Sequence, residues 1–241
     1  FKKCLVKKKY NKKNYSIIIN SLKKIDSRKY NKSRLFLPNG IYANKPNSSW
    51  YPKNILNKKH ILIVGPGKIK KSEKLKLKNF VNSQNLFVIG VNTSRNVSED
   101  LINFRTICHP KRMVSDASFH NKSKTVLTLP LSNLPEKLKA FLQTKNKIIL
   151  DYGLQVNSNK KIIANKNYCS IPKPLAILYS LCIAISGNAK KIYVAGFEGY
   201  NKDNPLNDES DFYIRKIQKK YKNIYLRTLT KSKYKIKLNK I

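Results

Sequence analysis

Residues 60–68 read His-Ile-Leu-Ile-Val-Gly-Pro-Gly-Lys, an aliphatic run that ends abruptly in a glycine turn and passes at once into a lysine-rich segment with helical spacing. A short run that is apolar without alternation belongs to a strand buried on both faces of a parallel sheet. In open α/β sheets, ligands sit beyond the carboxyl ends of such strands, close to a topological switch point. Glycine lets the backbone approach a ligand closely and aim N–H groups at a phosphate, although Pro66 removes one donor. Gly65, Pro66 and Gly67 are therefore candidate binding residues, and a plain strand–helix turn is the competing reading. The chain contains no GxGxxG fingerprint and no GxxxxGK[ST] loop.

The same alternation continues downstream. Further strands are expected near 86–91, 105–108, 125–129, 147–150, 191–196 and 224–229. Helices are expected at 70–83, 175–186 and 208–221, with Gly187-Asn188 closing the second. The pattern predicts an α/β fold: a mostly parallel, Rossmann-like sheet covered by helices on both faces. Upstream, residues 1–34 are strongly basic, with Ile17, Ile18, Leu22 and Ile25 at helical spacing over 15–25. Residues 35–58 hold Pro38, Gly40, Pro46 and Pro52 among Asn and Ser, which reads as a linker. The expected division is 1–58, a basic helical segment and linker ending a preceding domain, and 59–241, the globular domain. A chain that starts at Phe1 is expected to be part of a longer protein.

Charge is the loudest number and constrains least. Lys and Arg total 51 against 12 acids, a formal charge of +39. Lysine is spread along the whole chain together with abundant Asn and Ile, and arginine is a minority, so a solvated lysine surface is expected and no specific nucleic acid. The field still favours anionic substrates. Four cysteines, Cys4, Cys108, Cys169 and Cys182, show no CxxC or Cys/His metal spacing, which points to reduced thiols in the cytoplasm and no metal. Cys182 lies in an apolar run and reads as core. No uninterrupted apolar stretch reaches about 18 residues, so no spanning helix is expected.

Several clusters carry possible chemistry. Asn92 follows the second strand at the same sheet edge as the glycine turn, and its amide can both donate and accept; an Asx turn is the competing reading. His109-Pro110-Lys111-Arg112 and Ser115-Asp116-Ala117-Ser118-Phe119-His120-Asn121 put two of the three histidines in one polar loop or short helix. Imidazole titrates near neutrality and can accept a proton from a hydroxyl, and Arg112 suits a carboxylate or phosphate. His60, at a strand start, reads as structural. Asp151-Tyr152-Gly153 and Phe197-Glu198-Gly199-Tyr200 each set an acid and an aromatic just past a strand. There the tyrosine can stack on a base or sugar and the carboxylate can bind hydroxyls or act as a base; a turn with a surface acid is the competing reading. Asp203, Asp208, Glu209 and Asp211 form the one acidic cluster and read as a solvated helix start. No clear DxD occurs, so no metal or other cofactor is expected.

Taken together, HILIVGPG, FVIGVN and KKIYVAGFEGY resemble the sialyltransferase-like group of bacterial α/β proteins. That group includes the CMP-sialic-acid-dependent sialyltransferases and the motility-accessory, pterin-pyrophosphokinase-like proteins. RTICHPKRMVSDASFHNKSK, ILDYGL and NPLNDES are similar, more narrowly, to a C-terminal domain fused behind pyruvate-type aldolases in bacterial surface-polysaccharide gene sets. The resemblance spans about 59–235. It implies that Gly65, Gly67 and Asn92 hold a cytidine nucleotide. The chain departs from the family in lacking the Asn and Ser of the GNGPS-type loop and in having no His beyond His120.

The resemblance therefore implies a metal-independent, glycosyltransferase-like domain for a CMP-activated acidic 3-deoxy sugar and a glycan acceptor. Arg112 would meet the sugar carboxylate, and His109, His120 or Glu198 would serve as base. Ser115, Asn121, Asp151, Tyr152, Gly199 and Tyr200 would complete the substrate site. The alternative is a non-catalytic nucleotide-binding or scaffolding module for a fused aldolase. A transferase requires His109, Arg112 and His120 to converge on the glycine turn.

Overall fold

The computed structural model describes residues 40–143, 147–199 and 206–241. At its centre is a seven-stranded sheet, parallel throughout. Its strands are β1 (His60–Val64), β2 (Phe87–Val91), β3 (Phe104–Thr106), β4 (Val126–Leu129), β5 (Ile149–Asp151), β9 (Lys191–Ala195) and β10 (Leu226–Thr228). Their spatial order is β10-β9-β1-β2-β3-β4-β5. From β1 the chain steps outward through β5, then returns on the other side of β1 as β9 and β10. The order reverses between β1 and β9, and a crevice opens at their carboxyl ends.

The apolar runs explain the layering. Along β1, Ile61 and Ile63 enter one core and Leu62 and Val64 the other, the period-2 alternation of a strand buried on both sides. Helix α2 (Lys71–Ser83) covers the second face through Leu77 and Val81. Helix α6 (Ala176–Ser186) covers the first; it is apolar around its whole circumference, and residues 177–184 are all buried. Helix α7 (Leu206–Lys220) is amphipathic and buries Tyr213, Ile214 and Ile217. Cys108, Cys169 and Cys182 are free thiols within the first core. Among the described residues no helix is long and apolar enough to cross a membrane.

Three features differ from the sequence reading. Residues 153–171 form a separate small sheet, β6 (Gly153–Val156), β7 (Ile163–Ala164) and β8 (Tyr168–Ile171), in the order β6-β8-β7. Residues 109–122 fold into two short helices, α3 (Pro110–Ser115) and α4 (Ala117–Lys122), and a further helix α5 (Glu136–Leu142) precedes β5. Residues 40–58, expected as linker, belong to the domain: apart from the short helix α1 (Lys53–Leu56) they are irregular, yet Tyr42, Trp50 and Leu56 are buried in the first core. The Tyr42 hydroxyl donates to the Cys108 carbonyl at 2.6 Å, and the Trp50 N–H donates to the Asp151 carbonyl at 3.2 Å. The Pro, Asn and Ser of this segment set its irregular backbone, and its few large apolar side chains decide where it goes. The helix expected at 15–25 lies outside the described residues.

Candidate functional site

A cleft of about 620 Å³ opens at the switch point. Pro66 and Gly67 enter it from the end of β1, Asn92 from the end of β2, His109, Arg112 and Ser115 from β3 and α3, and Glu198 and Gly199 from the end of β9. The first turn of α6 forms another wall through Leu175, Ala176 and Ile177. Eight of the sequence-predicted residues thus meet in one place.

The glycine turn is built by packing. A Cβ on Gly65 would stand 2.5 Å from the Gly196 carbonyl oxygen, and one on Gly67 would stand 2.6 Å from it. The two loops touch because Gly65 N–H donates to the Ala195 carbonyl and Gly67 N–H to the Gly196 carbonyl, both at 2.8 Å. Lys68 N–H donates to the Glu198 carboxylate at 3.1 Å. Pro66 has no donor, so the turn's backbone donors are committed to the β9 loop. The walls left to receive an anion are Arg112 and the first turn of α6. No side chain caps that 11-residue helix, and uncapped first-turn N–H groups carry the positive end of the helix dipole.

Asn92 stands in the left-handed region at φ 53. Its N–H donates to the Thr106 carbonyl at 2.9 Å, and its side-chain oxygen is buried without a hydrogen-bond partner among the described residues. Arg112, half exposed, lies 3.6 Å from the buried Asp116 carboxylate, which also accepts the Ser115 hydroxyl at 3.0 Å. This pairing holds Ser115 and Arg112 side by side on the cleft wall. Pro110 opens α3 where its missing N–H costs nothing.

The other predicted residues lie elsewhere. His120 is buried against the edge of Phe119, and neither ring nitrogen has a partner among the described residues. Burial pushes its pKa down to about 3; the Arg105 and Lys147 charges add to this, and the Asp116 and Glu99 carboxylates oppose it. Asn121 is exposed on α4, outside the cleft lining. Asp151 is buried at the end of β5, where it accepts the Ser132 N–H at 3.1 Å. Burial raises its pKa against the pull of the Ser132 hydrogen bonds. The Tyr152 hydroxyl donates to the carbonyls of Asn165 at 3.0 Å and Tyr168 at 2.9 Å, joining the two sheets. Gly65 sits behind the cleft wall, and Tyr200 lies outside the described residues. In the acidic cluster, Glu209 pairs with Lys173 and Asp211 with Arg215, and Asp203 is outside the described residues. Among the described residues no group of His, Cys, Asp and Glu is arranged to hold a metal ion.

Four residues that the sequence reading passed over organise the site. Arg105, in the middle of β3, is fully buried. Its Nε donates to Glu99 at 3.1 Å, Nη1 to the Asn92 carbonyl at 3.0 Å and Nη2 to the Ser94 carbonyl at 3.1 Å; Nη2 also meets Glu99. Ser94 and Asn96 in turn donate to the Gly65 carbonyl at 2.7 and 2.8 Å, and Asn96 reaches the Gly67 carbonyl at 2.6 Å. Burial works to raise the Glu99 pKa, but hydrogen bonds from Arg105, Ser123 and Thr125 and the guanidinium charge bring it down to about 2. The available signal was Phe-Arg-Thr, one cation inside a short strand that is otherwise uncharged.

Fold and cleft together define a Rossmann-like α/β domain with an open cleft at its switch point, lined by polar and apolar side chains. The chain matches no protein-family model and no curated protein.

Proposed function

We propose that this domain binds a nucleotide-activated acidic sugar, a CMP-linked 3-deoxy acid first among them, and transfers the sugar to a glycan acceptor. The observation that carries the reading is the meeting of His109, Arg112, Ser115, Asn92 and Glu198 with the open first turn of α6 around one cleft. In this reading the nucleotide lies between Gly67 and Asn92. Arg112 takes the sugar carboxylate in a charge-assisted contact. The N–H groups at the start of α6 stabilise charge on the departing phosphate, which needs no metal. The acceptor oxygen bonds to the anomeric carbon as the bond from that carbon to phosphate oxygen breaks. The nucleoside monophosphate leaves with the electron pair, and His109 takes the hydroxyl proton. The convergence expected of His109, Arg112 and His120 is met by the first two alone. His120, neutral and shut inside the protein, has no part in this step, so the base role rests on His109.

The test is a thermal-shift series against CMP, CDP, UDP, GDP and a pterin. A ligand at a hundred times its Kd stabilises the folded state by about 2.7 kcal/mol, so selective binding raises the midpoint visibly. Stabilisation by CMP above the other four is the expected result. A flat response to all five overturns the reading and leaves a scaffolding role beside a fused aldolase.

A further inference from the structure

We propose that Arg105 is a positioning residue for the cleft: its buried guanidinium clamps the carbonyls of Asn92 and Ser94 and so sets the loop that carries Asn92 and grips the Gly-Pro-Gly turn. The proposal rests on the cleft being the ligand site.

A fully buried guanidinium is tolerated only when its donors are paired. Here the pairing is divided. One edge meets Glu99, which supplies the countercharge, and the Nη atoms also reach two backbone carbonyls of the 92–94 loop. Glu99 is itself fixed by the Ser123 and Thr125 hydroxyls, each at 2.6 Å, so the ion pair is anchored by residues that do not line the cleft. Gly90, on the neighbouring strand, makes room: a Cβ there would stand 3.1 Å from Nη1.

The loop needs such an anchor. Asn92 holds a positive φ that non-glycine residues adopt at a cost, and such conformations persist where surrounding bonds over-determine them. Ser94 and Asn96 then carry the restraint to the carbonyls of Gly65 and Gly67. The two sequence features that mark the cleft, the glycine turn and Asn92, are thereby fixed in one frame by a residue that does not line it. Lysine cannot replace this arrangement, because one ammonium cannot meet a carboxylate and two divergent carbonyls with a planar fork.

The experiment compares Arg105→Lys and Glu99→Gln with the parent chain by hydrogen exchange and by CMP titration. The amides of Asn92 and Ser94 are bonded to Thr106 and Val91, so both report on the loop. The expected result is exchange at residues 92–96 about tenfold faster or more in Arg105→Lys, and less so in Glu99→Gln, with β1 amides unchanged. CMP affinity should fall about tenfold in Arg105→Lys. In an Asn92→Ala background the same change should cost less than about twofold, because residues acting through one another are non-additive. Unchanged exchange at 92–96 in both variants, equal loosening of β1, or additive effects on CMP affinity would each overturn the proposal. If the parent chain binds no nucleotide, the functional reading fails, and the exchange comparison still decides the role of Arg105.

Discussion

His120 offers a sharp energetic test, because the structure buries its imidazole with neither nitrogen satisfied by a described residue. Protonation in place must put a charge into a site where Arg105 and Lys147 repel it and only Asp116 and Glu99 attract it. Burial dominates, and the folded-state pKa falls to about 3 from an ordinary 6.5. Between those values the unfolded chain binds a proton that the folded chain refuses. The stability associated with this group is therefore complete above pH 6.5 and drains away as pH falls toward 3. Each pH unit inside the window costs about 1.36 kcal/mol, so moving from pH 7 to pH 5 removes about 2 kcal/mol through this one side chain. His120→Phe keeps a flat ring against Phe119 and deletes the titration. Urea unfolding of both proteins at pH 7, 6 and 5 gives the difference directly, since His60 and the carboxylates are common to both and cancel. The expected outcome is that His120→Phe gains about 2 kcal/mol on the parent chain between pH 7 and pH 5. A gap that stays constant with pH would mean that the imidazole takes up its proton over the same pH range in the folded chain as in the unfolded one, and the burial argument would fail.

Two further outcomes follow from packing. Gly67→Ala should destabilise the domain by about 2 kcal/mol or more, because its Cβ would stand 2.6 Å from the Gly196 carbonyl and one of the two loops must shift; urea midpoints measure it, and a change under about 0.5 kcal/mol would contradict the close approach. Trp50→Ala should cost about 3–5 kcal/mol, because its ring packs edge-on against Phe104 at 5.7 Å and Tyr152 at 6.3 Å; a cost typical of an exposed linker would show that 40–58 does not belong to the core.

Much of the fold was legible because β1, β2, β9 and α6 are marked by apolar continuity, the signal that survives in a buried parallel sheet. The small sheet was not, because its strands are two to four residues long and carry too few periods to reveal alternation. Residues 40–58 misled for a different reason. Their Pro, Asn and Ser report the backbone's irregularity correctly but say nothing of burial, which rests on Tyr42, Trp50 and Leu56. In the cleft, Asn92, His109 and Arg112 were legible as polar residues just past strand ends. His120 has the same local look, yet it falls on α4, one short helix beyond His109, and turns into the protein. Nothing in the sequence of residues 109–121 distinguishes the two.

The glycine turn shows why a motif can give the place of a site and mislead about its chemistry. Gly65 and Gly67 suit a phosphate cradle and also the close passage of two loops, since both uses need a missing Cβ. The hydrogen bonds decide between them. Each glycine N–H points at the β9 loop, at 2.8 Å, so the turn's backbone donors are spent before a ligand arrives. In the proposed function an anion is then met by the groups that remain around the same cleft, the start of α6 and Arg112. The turn's contribution is steric and geometric. It lets β1 and β9 end side by side without side chains between them, and Ser94 and Asn96, held from behind by Arg105, tie it to the neighbouring loop. A variant that restores donors to the turn without relieving that contact should therefore gain no affinity for phosphate.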